Sequence, residues 1–316
     1  MVADARALLP TDLLALVAHG SSSSYENQAW PRERLGTQET QPTLSVLRDQ
    51  LFAFGKQRSA WVSLKRQKLQ ALVGTRHRGG RQAWEIDYLV DCGGDEAVIA
   101  ELLTRAVKAA GEEGAEKLFL RLAAGSDLFP AAREAGFVAY QEEVLYVLER
   151  ALEAKPVDCR TATPADSYPL FRLYCACTPE PVRRHEAATY SEWQSGTERR
   201  WLRNSVQLVA ERDGVIEAHV RASRMTQGVL CDLTLRADAT AGAAGLVAAA
   251  SQALSAGTAN GPILALVPSK SEGLARRLED AGFQVAGEYV SLVHRTTRPL
   301  ALPKAAPAVA KNAVGV

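Results

Sequence analysis

The chain is short of the features that mark several protein classes. Lysine and arginine number 37 against 36 aspartates and glutamates, so a formal net charge of +1 supplies no field to draw in nucleic acid or an anionic membrane. No run approaches the roughly 20 consecutive apolar residues of a bilayer-spanning helix. The opening Met1-Val2-Ala3-Asp4-Ala5-Arg6 has neither the basic region nor the apolar core of a secretory signal. Cysteine is scarce and odd in number: Cys92, Cys159, Cys175, Cys177 and Cys231 are scattered, which fits reduced thiols and a cytoplasmic location better than a disulfide framework. A zinc site takes about four ligands, and the nearest histidine to Cys175 and Cys177, His185, brings no second pair, so no metal is expected.

What remains is ordinary globular composition, 47% hydrophobic and 23% charged over 316 residues, enough for about two domains. The chain also repeats itself. Leu118-Phe119-Leu120-Arg121-Leu122, then a short helical run and Ala135-Gly136-Phe137, return as Ile263-Leu264-Ala265-Leu266-Val267 and Ala281-Gly282-Phe283. Gly136 and Gly282 lie 146 residues apart, and Leu118/Leu264, Leu120/Leu266, Glu142/Glu288 and Val144/Val290 keep that offset without a gap. A unit this long is a duplicated domain rather than a solenoid repeat. The reading is therefore one domain at 1–150, a linker at 151–156, a second domain at 157–297 and a disordered tail at 298–316.

Within the first copy, an apolar run from Leu13 to Val17 is preceded by Thr11 and Asp12 as caps and followed by Gly20 and a polar serine loop, 21–24. A second helical stretch covers 43–54. Strands are expected at 60–64, 69–73 and 84–90; in the last, Trp84, Ile86, Tyr88 and Val90 alternate with Glu85 and Asp87, the period of a strand with one buried face. Val98, Ile99, Leu102, Leu103, Ala106, Val107 and Ala110 then form an apolar stripe at helical spacing. A strand at 118–122, a helix near 130–135 and a strand at 144–148 complete the copy. The second copy repeats the order: a helix at 167–175, a polar segment at 178–203, strands at 207–210, 215–220 and 229–235, a helix at 244–254, a strand at 263–267, a helix at 273–280 and a strand at 289–294.

A central strand leading into a long helix, then a strand, a short helix ending in Ala-Gly-Phe and a last strand, resembles the GCN5-related N-acetyltransferase (GNAT) family in both halves. The resemblance implies an α+β protein of two tandem GNAT-like domains, each a mixed, mostly antiparallel sheet flanked by helices. It also implies acetyl-CoA as co-substrate, with the pyrophosphate on backbone N–H groups where the long helix begins, and a small-molecule or peptide amine as acceptor. That chemistry needs a proton acceptor for the amine and a donor for the departing thiolate.

In the first copy the loop reads Asp91-Cys92-Gly93-Gly94-Asp95-Glu96, whose three carboxylates repel a pyrophosphate. The second copy is the better candidate, with Arg236, Ala241, Gly242, Ala243 and Gly245 as the cofactor-binding set. Asp232 in the second copy and Glu85 in the first, with Asp87 beside it, occupy the strand from which such proteins take a base. Asp232 sits in an apolar strand and needs a partner, which Arg221 or Arg224 can supply. Ala132 and Leu278 stand four residues before the Gly-Phe turns, where family members often carry a tyrosine as acid.

His219, in a strand, reads as a core histidine or a base, and residues 25–30 as a packed loop or a substrate wall. The arginines and tryptophans of 178–203 suit an interdomain or acceptor-site role rather than nucleic acid, given the near-zero net charge. Two functions stay open: an acyltransferase acting on a small-molecule amine, and a catalytically inactive pseudo-acetyltransferase that binds a metabolite or a protein. Oligomeric state is not legible.

Overall fold

The structure is a computed structural model describing residues 4–9, 26–36, 58–65, 68–78, 82–93, 95–149, 152, 154–196, 204–225, 228–254 and 261–296. The helices expected at 13–17 and 43–54, the serine run 21–24, Tyr25, residues 199–203 and the tail lie outside the described residues.

Among the described residues the elements from 58 to 148 and from 205 to 295 follow the order the repeat predicts, and the strands at 4–7 and 160–161 were not expected. The first copy comprises β1 (Asp4–Ala7), β2 (Arg58–Lys65), β3 (Lys68–His77), β4 (Ala83–Asp91), α1 (Glu96–Glu112), β5 (Lys117–Ala123), α2 (Phe129–Glu134) and β6 (Val138–Leu148). The second comprises β7 (Arg160–Thr161), α3 (Ser167–Cys177), α4 (Glu180–Glu186), α5 (Tyr190–Gly196), β8 (Ser205–Arg212), β9 (Val215–Met225), β10 (Gly228–Leu235), α6 (Ala243–Leu254), β11 (Ile263–Pro268), α7 (Glu272–Asp280) and β12 (Gln284–Arg295). Two short helices, α4 and α5, lie in the polar segment where the sequence reading placed none. Among the described residues no helix is long and apolar enough to cross a membrane.

Local chemistry accounts for the punctuation. Asp95 caps α1 by accepting the Ala97 N–H at 3.2 Å, and the apolar stripe of that helix is buried as its spacing demands. The Ala-Gly-Phe ends of α2 and α7 are Schellman caps: Phe137 N donates to Ala132 O at 2.9 Å and Phe283 N to Leu278 O at 3.1 Å. Gly136 and Gly282 take φ of 82° and 91°, left-handed values at which a Cβ is penalised. Ala132 and Leu278 are buried under these caps, so the position that often carries the family's acid is core here in both copies.

The strands form one sheet in the order β1-β2-β3-β4-β5-β12-β6-β11-β10-β9-β8-β7. The last strands are exchanged: β12, from the second copy, lies antiparallel against β5, and β6, from the first, lies antiparallel against β11. The two exchanged strands also pair with each other, from Gln284↔Val147 to Val293↔Val138. They are longer than read because their first halves are polar and lack the apolar alternation the reading relied on. Each copy keeps its own core, one around Trp84, Ile99, Leu103 and Leu118 and one around Val220, Cys231, Leu246 and Phe283. A third cluster, Leu35, Leu145, Leu230, Leu264, Leu266 and Tyr289, sits at the seam, where each fully buried leucine contributes about 2 kcal/mol.

Candidate active site at the seam of the two copies

In each copy two parallel strands separate as they run on. β4 and β5 pair only over Ala83↔Lys117, Trp84↔Leu118 and Glu85↔Phe119. β10 and β11 pair over Val229↔Ile263 through Asp232↔Leu266. Beyond those positions lies a gap between strand ends, and the two copies treat it differently.

In the first copy the chain fills its own gap. Gln28 N donates to Leu89 O at 2.7 Å on β4, and Trp30 N donates to Arg121 O at 2.9 Å on β5, so residues 28–30 bridge both strands. Asn27, fully buried, donates from Nδ2 to Asp87 O at 2.9 Å and accepts from Leu89 N at 2.8 Å and Ala29 N at 3.0 Å. Arg34 clasps the segment from behind through the carbonyls of Asn27 and Ala29, with its guanidinium 5.0 Å from the Trp30 ring. The cavity left beside Trp30, Glu85 and Phe119 is about 10 Å3, room for roughly one water.

Glu85 and Asp87 are accordingly buried, where an exposed polar strand face was expected. Glu85 accepts from Arg76 Nε at 2.6 Å, and the same guanidinium reaches Glu33 and stands 3.8 Å from Asp87. Burial opposes the charge on Arg76, but these three carboxylates raise it well above the usual arginine range. Glu85 is thus part of a buried ion cluster.

In the second copy the gap is open. A cavity of about 470 Å3 is bounded by residues Leu233–Leu235 of β10, Pro268 on β11, the start of α7 and the end of α3. Arg236, Lys270 and Arg277 are its cations. Arg236 is half exposed and donates from Nε to Asp238 at 3.1 Å. Lys270 and Arg277 were not singled out from the sequence; their signal is two cations following the strand that ends at Pro268, on the side where the gap opens.

The helix-start loop is arranged otherwise than expected. Glu217, on β9, accepts the Thr240 N–H at 3.0 Å, the Thr240 hydroxyl at 2.6 Å and the Ala241 N–H at 3.0 Å. The Thr240 hydroxyl first, with those two N–H groups, holds the Glu217 carboxyl below the usual carboxylate range despite burial. A protein carboxylate therefore occupies one of the N–H groups assigned to a pyrophosphate, that of Ala241, together with its neighbour at Thr240. Gly242 is exposed and Ala243 is buried at the start of α6. Gly245 faces the linker, where a Cβ would fall 2.4 Å from Val157 Cγ1. The first copy does the same with Asp91, which accepts Gly93 N at 3.0 Å, and with the Asp95 cap.

A second cavity, about 170 Å3, lies beside the open gap on the face covered by α3, α4 and α5. Asp232, Thr234, His219 and Arg221 enter it from β9 and β10, Tyr174 and Glu186 from the helices, and Arg32 and Arg78 from the first copy. Arg32 pairs with Asp232 Oδ1, and Arg221 donates to Asp232 Oδ2 at 2.9 Å, so the candidate base has both oxygens engaged. The expected partner Arg221 is therefore present, whereas Arg224 donates to Leu254 O at 2.6 Å. Tyr174 donates to Glu186 at 3.1 Å; burial, then the Glu186 charge, pushes its hydroxyl far above the usual tyrosine range. Thr234 lines both cavities.

No protein-family model matches the sequence, and no curated protein matches it. Solved structures are similar to it throughout. A GCN5-related N-acetyltransferase from Sphaerobacter thermophilus matches over 94% of this chain and 96% of its own, with a TM-score of 0.52 at 18% identity. A tandem GNAT protein from the clavulanic acid biosynthesis pathway matches over 94% of this chain and 99% of its own, with a TM-score of 0.52 at 12% identity. At such identities the likeness is one of fold. With a separating pair of parallel strands in each copy of one continuous sheet, and each Ala-Gly-Phe helix closed by a Gly-Phe cap, the protein has the tandem fold of the GCN5-related N-acetyltransferases.

Proposed function

We propose that the second copy transfers an acyl group from acyl-CoA, acetyl-CoA in the first instance, to a small-molecule amine, and that the first copy has no such activity. The observation that carries the reading is Thr234, which lines both the open gap between β10 and β11 and the polar pocket at the seam. A donor lying in the gap and an acceptor lying in the pocket would meet there, and positioning supplies much of what this reaction needs.

Acetyl-CoA brings the thioester carbonyl. With the Ala241 N–H taken by Glu217 and Gly245 packed against Val157, Arg236, Lys270 and Arg277 on the rim supply the charge for its phosphates, beside the N–H groups of Gly242 and Ala243 at the helix start. Glu186 accepts the proton of the amine, Tyr174 holds that carboxylate in place by donating to it at 3.1 Å, and the departing thiolate takes its proton from water. Asp232 anchors Arg32 and Arg221, because taking a proton there would break one of its two ion pairs. Glu85, with its gap filled, has no donor to act on.

The test is calorimetry of the full chain with acetyl-CoA and CoA, followed by thiol release from acetyl-CoA with a panel of amines. Binding that disappears in Lys270→Glu/Arg277→Glu supports the reading; absence of heat at high micromolar ligand overturns it. A second reading, a binding module without turnover, is favoured by the Glu217 carboxylate on the loop. CoA binding without thiol release from any amine would select it.

A further inference from the structure

A further cavity, about 290 Å3, belongs to neither the open gap nor the seam pocket. It lies where the first half of β6 passes the turn between α3 and α4 and the loop that follows β11. Cys177, Thr178, Pro268, Lys270 and Ser271 line both this cavity and the gap, and no residue lines both it and the seam pocket. Most of its wall is apolar: Ala139, the Tyr140 ring, Pro179, Val182, Pro268 and Val290. Tyr140 is held by Phe119 and His185, at 6.1 and 6.5 Å between ring centroids, so that side of the wall is fixed. Backbone groups at the edges are already paired. Ser269 N donates to Glu142 O, Thr178 N to Tyr174 O and Ser271 N to Pro268 O, each at 2.9 Å. A flat apolar ligand therefore strips no water from them. The charged side chains, Glu142 and Lys270, are exposed.

We propose that this cavity holds the adenine base of the acyl-CoA, between the first half of β6 and α4, with Lys270 at the phosphates. The proposal rests on the acyl-transfer reading and follows from the order of groups along the ligand. CoA carries its phosphates between a nucleoside and a long pantetheine arm. With the arm in the gap towards Thr234 and the phosphates at Arg236, Lys270 and Arg277, the nucleoside leaves on the other side of the phosphates. The cavity that shares Lys270 with the gap is placed to receive it. Size agrees: a cavity of about 150 Å3 holds one benzene ring, so about 290 Å3 suits a bicyclic base without its sugar. Residues 139–142 of that wall belong to the first copy, so the exchange of last strands gives the copy with the filled gap a share in holding the donor.

ADP and methyl diphosphate carry the same charge and differ in the nucleoside, so together with CoA they test the cavity by calorimetry on the full chain. ADP is expected to bind at least about tenfold more tightly than methyl diphosphate, since burying about 55 Å2 of ring surface is worth that much. Ala139→Phe, at an exposed position on β6, and Val182→Phe, on α4, fill the cavity. Each should erase the ADP preference and leave methyl diphosphate unchanged, with urea melts checking the fold. ADP binding no more tightly than methyl diphosphate while CoA binds would overturn the inference and leave the transferase reading standing. An ADP preference that survives both substitutions would overturn it as well. A preference lost in both variants, with no heat from CoA, keeps the nucleotide site and removes the transferase reading. No heat from any of the three ligands removes both.

Discussion

Arg32 and Asp232, 200 positions apart in the chain, form an ion pair that ties the filled gap of the first copy to the pocket of the second. Arg32 belongs to the segment running on from Asn27 and Trp30, and Asp232 to the strand at which the second gap begins to open. Removing the carboxylate leaves Arg32 and Arg221 facing each other in a partly buried site. Asp232→Ala is therefore expected to cost about 2 kcal/mol, less than for a fully buried pair because both partners keep some contact with water. Urea denaturation followed by tryptophan fluorescence checks this, and an unchanged midpoint would show that the pair contributes nothing.

Asn27 is the hinge pin of the filled gap. Its amide satisfies Asp87 O, Leu89 N and Ala29 N inside the protein, and alanine leaves all three groups without that partner. Asn27→Ala should lower stability by about 3 kcal/mol, summing the loss over buried groups each worth about 1 kcal/mol or more. Thermal and urea melts read the loss directly. If the segment were a loosely resting loop, the change would stay within about 0.5 kcal/mol, as for ordinary surface substitutions.

Acid titration separates Glu217 from the other carboxylates. Its folded form sits below the usual carboxylate range, so its stabilising effect is fully present above the unfolded value near about 4.3 and is lost as pH falls through the lower folded value. The stability difference between the wild type and Glu217→Gln should thus be constant from neutral pH to about 5 and shrink below about 4. Denaturation at a series of pH values measures it. A difference that does not change with pH would mean that the charge of Glu217 is irrelevant to its hold on Thr240 and Ala241. The same variant, with the carboxylate charge gone from the loop, should bind CoA more tightly than the wild type.

What the sequence disclosed was local. The apolar stripe of α1 and the left-handed glycines Gly136 and Gly282 depend on neighbours within a turn or two, so their spacing announced them and, through them, the fold. The filling of the first gap depends on Asn27 meeting residues 60 and 62 positions away, and nothing in Glu26-Asn27-Gln28-Ala29-Trp30 marks that meeting. Glu217 did leave a trace, a lone acid between Ile216 and Ala218 in an otherwise apolar stretch, but its partners at Thr240 and Ala241 follow only from the sheet. Asp232 was placed in the pocket with Arg221 as foreseen; Arg32 reached it from the other copy, a contact no within-copy comparison can suggest.

The exchange of last strands fixes how the molecule should unfold. β12 covers the edge of β5 and β6 covers the edge of β11, so neither copy has a complete sheet without a strand of the other. Removing residues 157–316 exposes the inner edge of β5 and leaves β6 without its neighbours, and an unpaired edge of that length invites association. The full chain should therefore unfold in one transition, with tryptophan fluorescence and far-UV circular dichroism giving coincident midpoints. Residues 1–156 expressed alone should be aggregated or unfolded, and recovered in soluble form when co-expressed with 157–316. Two separated transitions, or a monomeric and cooperatively folding half, would mean that the exchanged strands add little to either core and that the copies remain independent units joined only by the linker.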